Sequence, residues 1–137
     1  MAIFGAINTA GTGLHVYRTW MDAVSDNIAN MNDVKPTNEA AFQERYVQAQ
    51  AVDYSPEGNG IGSGAQVAGV AFGSAEGRLV SEPNNPLADA NGMVRYPDID
   101  LGDQMVQLSL AQRGYQANLA VVERAKDAYQ QALELGK

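Results

Sequence analysis

Residues 2–30, AIFGAINTAGTGLHVYRTWMDAVSDNIAN, decide the architecture. Ile3, Ile7, Ala10, Leu14, Tyr17, Met21, Val24, Ile28 and Met31 recur at alternating steps of four and three, the seam of a helix that lies against another helix. The same spacing returns at the far end of the chain, in Leu101, Met105, Leu108, Ala111 or Gln112, Tyr115, Leu119, Val122, Ala125 or Lys126, Tyr129 and Leu133. Two such seams bracketing an insert predict an antiparallel N- and C-terminal helical coiled-coil hairpin, with Ile3 near Leu133 and Ile28 near the Met105 to Leu108 region. The predicted class is mainly α, with a small inserted β-hairpin region.

Each helix carries its own punctuation. In the first, Gly5, Gly11 and Gly13 stand among Thr9 and Thr12, and each glycine lowers helicity by about 1 kcal/mol relative to alanine. This portion is expected to fray in a free monomer and to order on packing, and its small residues let a neighbouring backbone approach. Asn30 and Asn32 tolerate a left-handed helix end, and Pro36 stops continuation. The second helix is predicted from Asp98 to Gly136. Asp98, Asp100 and Asp103 place negative charge at its positive pole, and Gly114 is its interior weak point.

Between the helices the period changes. Phe42 to Ala49 alternates as a strand, with a short helix as the competing reading, Tyr54 to Gly64 (YSPEGNGIGSG) is a glycine-rich turn or tip, and Ala65 to Phe72 pairs back as a hairpin. Arg78 to Ser81 and Gly92 to Tyr96 are short strands around EPNNPLADANG, where Asn91-Gly92 favours positive φ. The chain therefore divides into an N-terminal helix of a core domain (1–32), a β-rich insert and linker (33–97) and a C-terminal helix of that core domain (98–137).

The composition restricts function. Of 137 residues 45% are hydrophobic but only 7% aromatic, so apolar content lies in helical stripes and not in one large globular core. A formal charge of −7 without a Lys/Arg cluster disfavours nucleic acid as a partner. With no cysteine, disulfides and thiolate zinc sites are excluded. The N-terminal stretch is too interrupted by Asn8, Thr9, Thr12 and His15 for a cleaved signal or a membrane span, so no direct membrane insertion is expected. Phe4, Val16, Trp20, Val106, Leu110 and Val121 lie off the seams, and one helix pair leaves them uncovered. They are the expected subunit contacts. The competing possibility is a monomer whose helices wrap a compact β core.

Polar candidates point away from catalysis. Gly60, Gly62 and Ala65 match a GxGxxA spacing, yet no buried strand precedes it and no amphipathic helix follows. The three aspartates lack the ligand order of a calcium loop, and a capped helix start explains them. His15 is the only histidine, and Ser25 has no activating base at a helical offset. Asn27, Asn30 and Asn118 read best as interhelical hydrogen bonds that select one register. No catalytic residue, cofactor or metal is expected.

Ser25-Asp26-Asn27-Ile28-Ala29-Asn30 closing the first helix is similar to the signature of bacterial flagellar axial proteins. Within that group, EPNNPLADANGMVRYPDID (82–100) followed by Met105-Val106, Ala111, Arg113, Tyr115-Gln116-Ala117-Asn118, Val121-Val122, Ala125-Lys126 and Leu133 to Gly136 resembles the FlgC family of proximal-rod basal-body proteins. The Thr-Pro-Gly-Tyr type ending of other axial proteins is absent after Asn30, where Met31-Asn32-Asp33-Val34 stands. The resemblance implies a structural subunit of the proximal rod, which assembles helically into an axial drive shaft and export-channel wall. It also implies passage through the flagellar type III export apparatus without signal cleavage, into the periplasmic part of the basal body. The partners implied are copies of itself, other rod subunits and the rotor-ring/rod adaptor, with Ser25, Asn27, Asn30, Arg113 and Asn118 as motif or register positions. A different class, a soluble helical adaptor that binds partners without polymerising, would tolerate loss of the first dozen residues.

Overall fold

The computed structural model describes residues 2–53 and 62–136. Most of the expected glycine-rich tip lies outside the described residues. Helix α1 (Ala2–Asn30) and helix α2 (Leu101–Leu135) bracket two small antiparallel hairpins, β1 (Arg45–Ala51) with β2 (Ala65–Phe72), and β3 (Arg78–Ser81) with β4 (Met93–Tyr96).

The two helices run antiparallel. Phe4 meets Tyr129 edge-on at a centroid distance of 5.5 Å, Trp20 Nε1 donates to Gln107 Oε1 at 3.3 Å, and Asn27 reaches Gln104. The register is set where glycine removes a side chain. A Cβ on Gly114 would sit 2.3 Å from the Tyr17 ring, and one on Gly13 would sit 2.7 Å from Asn118 Oδ1. These interlocks pair position 4 with 129, so the expected pairing of Ile3 with Leu133 is displaced by about one helical turn. The C-terminal end of α2 overhangs accordingly, with Leu133 and Leu135 exposed.

The helix ends close by local hydrogen bonds. Asp100 caps α2, its Oδ1 accepting from the Asp103 amide at 2.9 Å, so the helix begins after Asp100 and not at Asp98. At the other junction no left-handed asparagine is used: among the described residues no non-glycine residue has positive φ, and the Asp33 amide donates to the Asn30 carbonyl at 3.0 Å.

The β1–β2 hairpin lies along α1. The Asn27 side chain binds the backbone of Arg45 at the start of β1, and Thr12 Oγ1 accepts from the Ala65 amide at the start of β2, at 3.0 Å. About fifteen residues of helix separate those pins, roughly 22 Å, which a seven-residue strand spans. Asn27 also explains why β1 starts at Arg45 and not at Phe42. The pairing shifts register between Gln48 and Ala49, the signature of a bulge.

The second hairpin has its own small apolar centre. Val94 is completely buried, with Ala41, Pro97 and Ile99 also buried in this part of the chain. Residues 33–41 strap across, with Lys35 and Arg95 exchanging backbone bonds at 2.9 Å and the Arg95 guanidinium donating to the Thr37 carbonyl at 2.6 Å. Gly92 takes the expected positive φ, 71°. The turn before it is tied by Asp89, whose carboxylate accepts from the amides of Asn91 and Met93.

Candidate functional site

One side of α1 is covered from within. Val16, expected on a free flank, is buried beneath the first hairpin, and Trp20 is half-buried, stacked on Tyr17 and bonded to α2. Between them a cleft of about 290 Å³ remains, lined by Gly13, Val16, Tyr17, Trp20, Val47, Ala49 and Ala65. The insert thus covers part of the surplus that pattern alone assigns to other subunits.

The seam of α2 follows the expected one at Leu108, Ala111, Tyr115, Val122 and Ala125 but takes Gln104 and Asn118 in place of Met105 and Leu119. Gln104 and Ala111 have no exposure at all, and Asn118 and Ala125 continue that line at heptad spacing. Met105, Leu119 and Leu133, expected in the seam, are exposed to 52%, 38% and 54%. The physical reason is distance: the Gly114–Tyr17 and Gly13–Asn118 interlocks hold the helices too close for the larger line. Leu108, Tyr115 and Val122 are half-buried on the other line, while Tyr129 stays 40% exposed beside Phe4, which is itself 47% exposed. On α1, Val24 is buried and Ile3, Ile7, Leu14, Tyr17, Met21 and Ile28 are half-buried.

A polar node joins α1, α2 and the hairpin. Buried Asn27 donates to Gln104 Oε1 and to the Arg45 carbonyl, each at 3.0 Å, and accepts from the Arg45 amide at 2.8 Å. Gln104 Nε2 in turn donates to Glu44 Oε1 at 2.6 Å. Tyr46 donates to the other Glu44 oxygen, and that bond, with partial burial, pushes its phenol up to about 12. Asp26 and Arg45 form an ion pair at the rim. Hydrophobic periodicity does not reveal Gln104, Glu44 or Arg45. For Gln104 a signal exists, since it stands one heptad before Ala111.

The other register candidates act locally. Asn30 Nδ2 donates to the Asp26 carbonyl and Asn118 Nδ2 to the Gly114 carbonyl, both within their own helices; neither makes the expected interhelical hydrogen bond, and Asn118 acts on the register by packing against Gly13. Ser25 Oγ binds the Met21 carbonyl, and Arg113 is exposed. His15 is exposed on α1. Among the described residues no group of three or more potential ligands could hold a metal, and no helix is long and apolar enough to cross a membrane. What remains conspicuous is the outer side of α2, where Val106, Leu110 and Val121 are 60%, 51% and 46% exposed.

Comparison with known proteins bears on that surface. Residues 90–135, the end of the second hairpin and all of α2, match the family described as flagellar basal body rod FlgEFG protein C-terminal. Over all of both chains, 36% of residues are identical to the flagellar basal-body rod protein FlgC of Salmonella typhimurium. The proteins of the same name from Borreliella burgdorferi, 30% identical with 98% of each chain covered, and Bacillus subtilis, 29% identical with all of each chain covered, align about as completely. The chain belongs to the FlgC family. It is a structural subunit of the bacterial flagellar basal-body rod, a part of the motility machinery and not an enzyme. It assembles with other rod components.

Proposed function

We propose that this chain polymerises helically through its two terminal helices, which pack as a coiled coil, to form the proximal rod as an axial drive shaft and export-channel wall. Its neighbours are copies of itself, other rod subunits and the rotor-ring/rod adaptor. It reaches the periplasm through the flagellar type III export apparatus without losing a signal segment. The supporting observation is the outer side of α2, where Val106, Leu110 and Val121 stand about half exposed or more with nothing among the described residues to cover them. Torque then passes through many weak apolar contacts acting together, since packed interfaces resist shear collectively. The N-terminal portion, poor in intrinsic helicity, supports export in an extended state and ordering at the assembly site.

Removing residues 2–12 from the chain in a flagellated bacterium lacking its own copy provides the test. Rods lacking the truncated subunit, with loss of motility, are expected. Normal rods built from the truncated subunit would refute assembly through the terminal helices.

A further inference from the structure

The outer surface of α2 is not uniformly apolar, and its charges are sorted. At about 100° per residue, Val106, Leu110, Arg113, Ala117, Val121 and Arg124 fall within an arc of about 80°. Met105, Leu119, Glu123, Asp127 and Glu134 fall within a second arc of similar width, centred about 120° away. The charged members of both strips are exposed. Asp103 lies at the N-terminal edge of the first strip, and Lys126 lies just outside the second on its seam side. Among the described residues the ion pairs are Lys35–Asp33 and Arg45–Asp26, so neither arginine of the first strip is paired within them. The charges also match in spacing: Arg113 to Arg124 and Glu123 to Glu134 are both eleven residues, about 16 Å along the axis.

We propose that the basic apolar strip of α2 in one copy docks on the acidic apolar strip of α2 in a second copy. The proposal rests on the reading of the chain as a rod subunit and names the two faces and their chemistry. Because the strips differ, the contact is heterologous, and a heterologous contact that does not close on itself propagates as an open array. The apolar side chains of the first strip supply contact area against Met105, Leu119 and the glutamines Gln112 and Gln116 that share the second arc, and the charge pairs select which strip meets which.

The test uses the full chain in a flagellated bacterium lacking its own copy. R113E/R124E and E123R/E134R are each expected to lower incorporation into isolated rods by about tenfold. The quadruple reversal restores it, and co-expression of the two double variants restores it as well, since each then offers the strip the other needs. Purified variants should melt as the unmodified chain does. Normal incorporation of either double variant overturns the proposal. Failure of both rescues also overturns it, and would assign these charges to a different rod component. Absence of the unmodified chain from rods would instead sink the rod-subunit reading itself.

Discussion

The two helices are similar in length and spacing but differ in how they are covered. Helix α1 is packed on two sides, by α2 and by the first hairpin, and buries Ala10, Val16, Ala23, Val24 and Asn27. Helix α2, six residues longer, buries only Gln104 and Ala111 and leaves Met105, Val106, Leu110, Leu119, Val121 and Leu133 exposed. A surplus of apolar surface on a helix therefore does not by itself say where a neighbour binds. On α1 the chain's own insert absorbs part of it, and on α2 none of the described residues does.

Substitutions can break this contrast, beginning where the covered side is most tightly specified. Asn27→Leu should destabilise the monomer by about 3 kcal/mol, because it strands the buried Gln104 side-chain oxygen and both backbone groups of Arg45. Denaturant unfolding measures the loss, and hydrogen exchange should show the Arg45 amide opening first. An unchanged midpoint would mean that the node holds nothing together. Val24→Ala, at a position 1% exposed, should cost about 2 kcal/mol by the same measurement.

A pair of glycine substitutions sharpens the comparison further. Gly11→Ala meets nothing within 4 Å and should gain about 1 kcal/mol from helix propensity. Gly114→Ala drives a methyl into the Tyr17 ring and should lose about 1 kcal/mol or more despite the same propensity gain. If both raise the melting temperature, the interlock is loose.

On the open side, effects on folding should nearly vanish. Leu110→Ser is expected to change monomer stability by no more than about 0.5 kcal/mol while reducing incorporation into rods. A large stability loss would show that Leu110 is covered within the subunit after all.

The smallest expected effect belongs to the second hairpin. The Met93 and Asn91 amides hold the Asp89 carboxyl below its usual range, and the Asn85 amide with the Tyr96 hydroxyl does the same for Glu82. Groups with depressed folded values contribute stability that is complete above the ordinary carboxylate range and is lost as pH falls through their folded values. Melting temperature should therefore drop below about pH 4, and less steeply in Asp89→Asn. An identical acid limb in that variant would remove Asp89 from the account.

Much of this fold was legible in local pattern. Ala65 to Phe72 and Arg78 to Ser81 coincide with β2 and β3, because period-two alternation and flanking turn residues are properties of the segment alone. Register and rotation were not legible in the same way. Periodicity places Leu119 in the α2 seam, whereas the side chain pressed on Gly13 is its neighbour Asn118. Hydrophobic pattern favours the larger apolar residue, while close approach of two backbones favours the more compact one. At that point the inner line is therefore polar as well as small. The side chains of Gln104 and Asn27 are bonded across 77 positions, a partnership that no local window contains.

By itself the sequence determined that two amphipathic helices stand at the ends of this chain with a hairpin and two further short strands between them, since periodicity, turn residues and the acidic helix start act over a few neighbouring residues. Tertiary structure alone decided which line of α2 faces α1, which flank of α1 the insert covers and which side is left for neighbours. Those outcomes depend on interhelical distance and on hydrogen bonds between distant residues, and both exist only once the chain is folded.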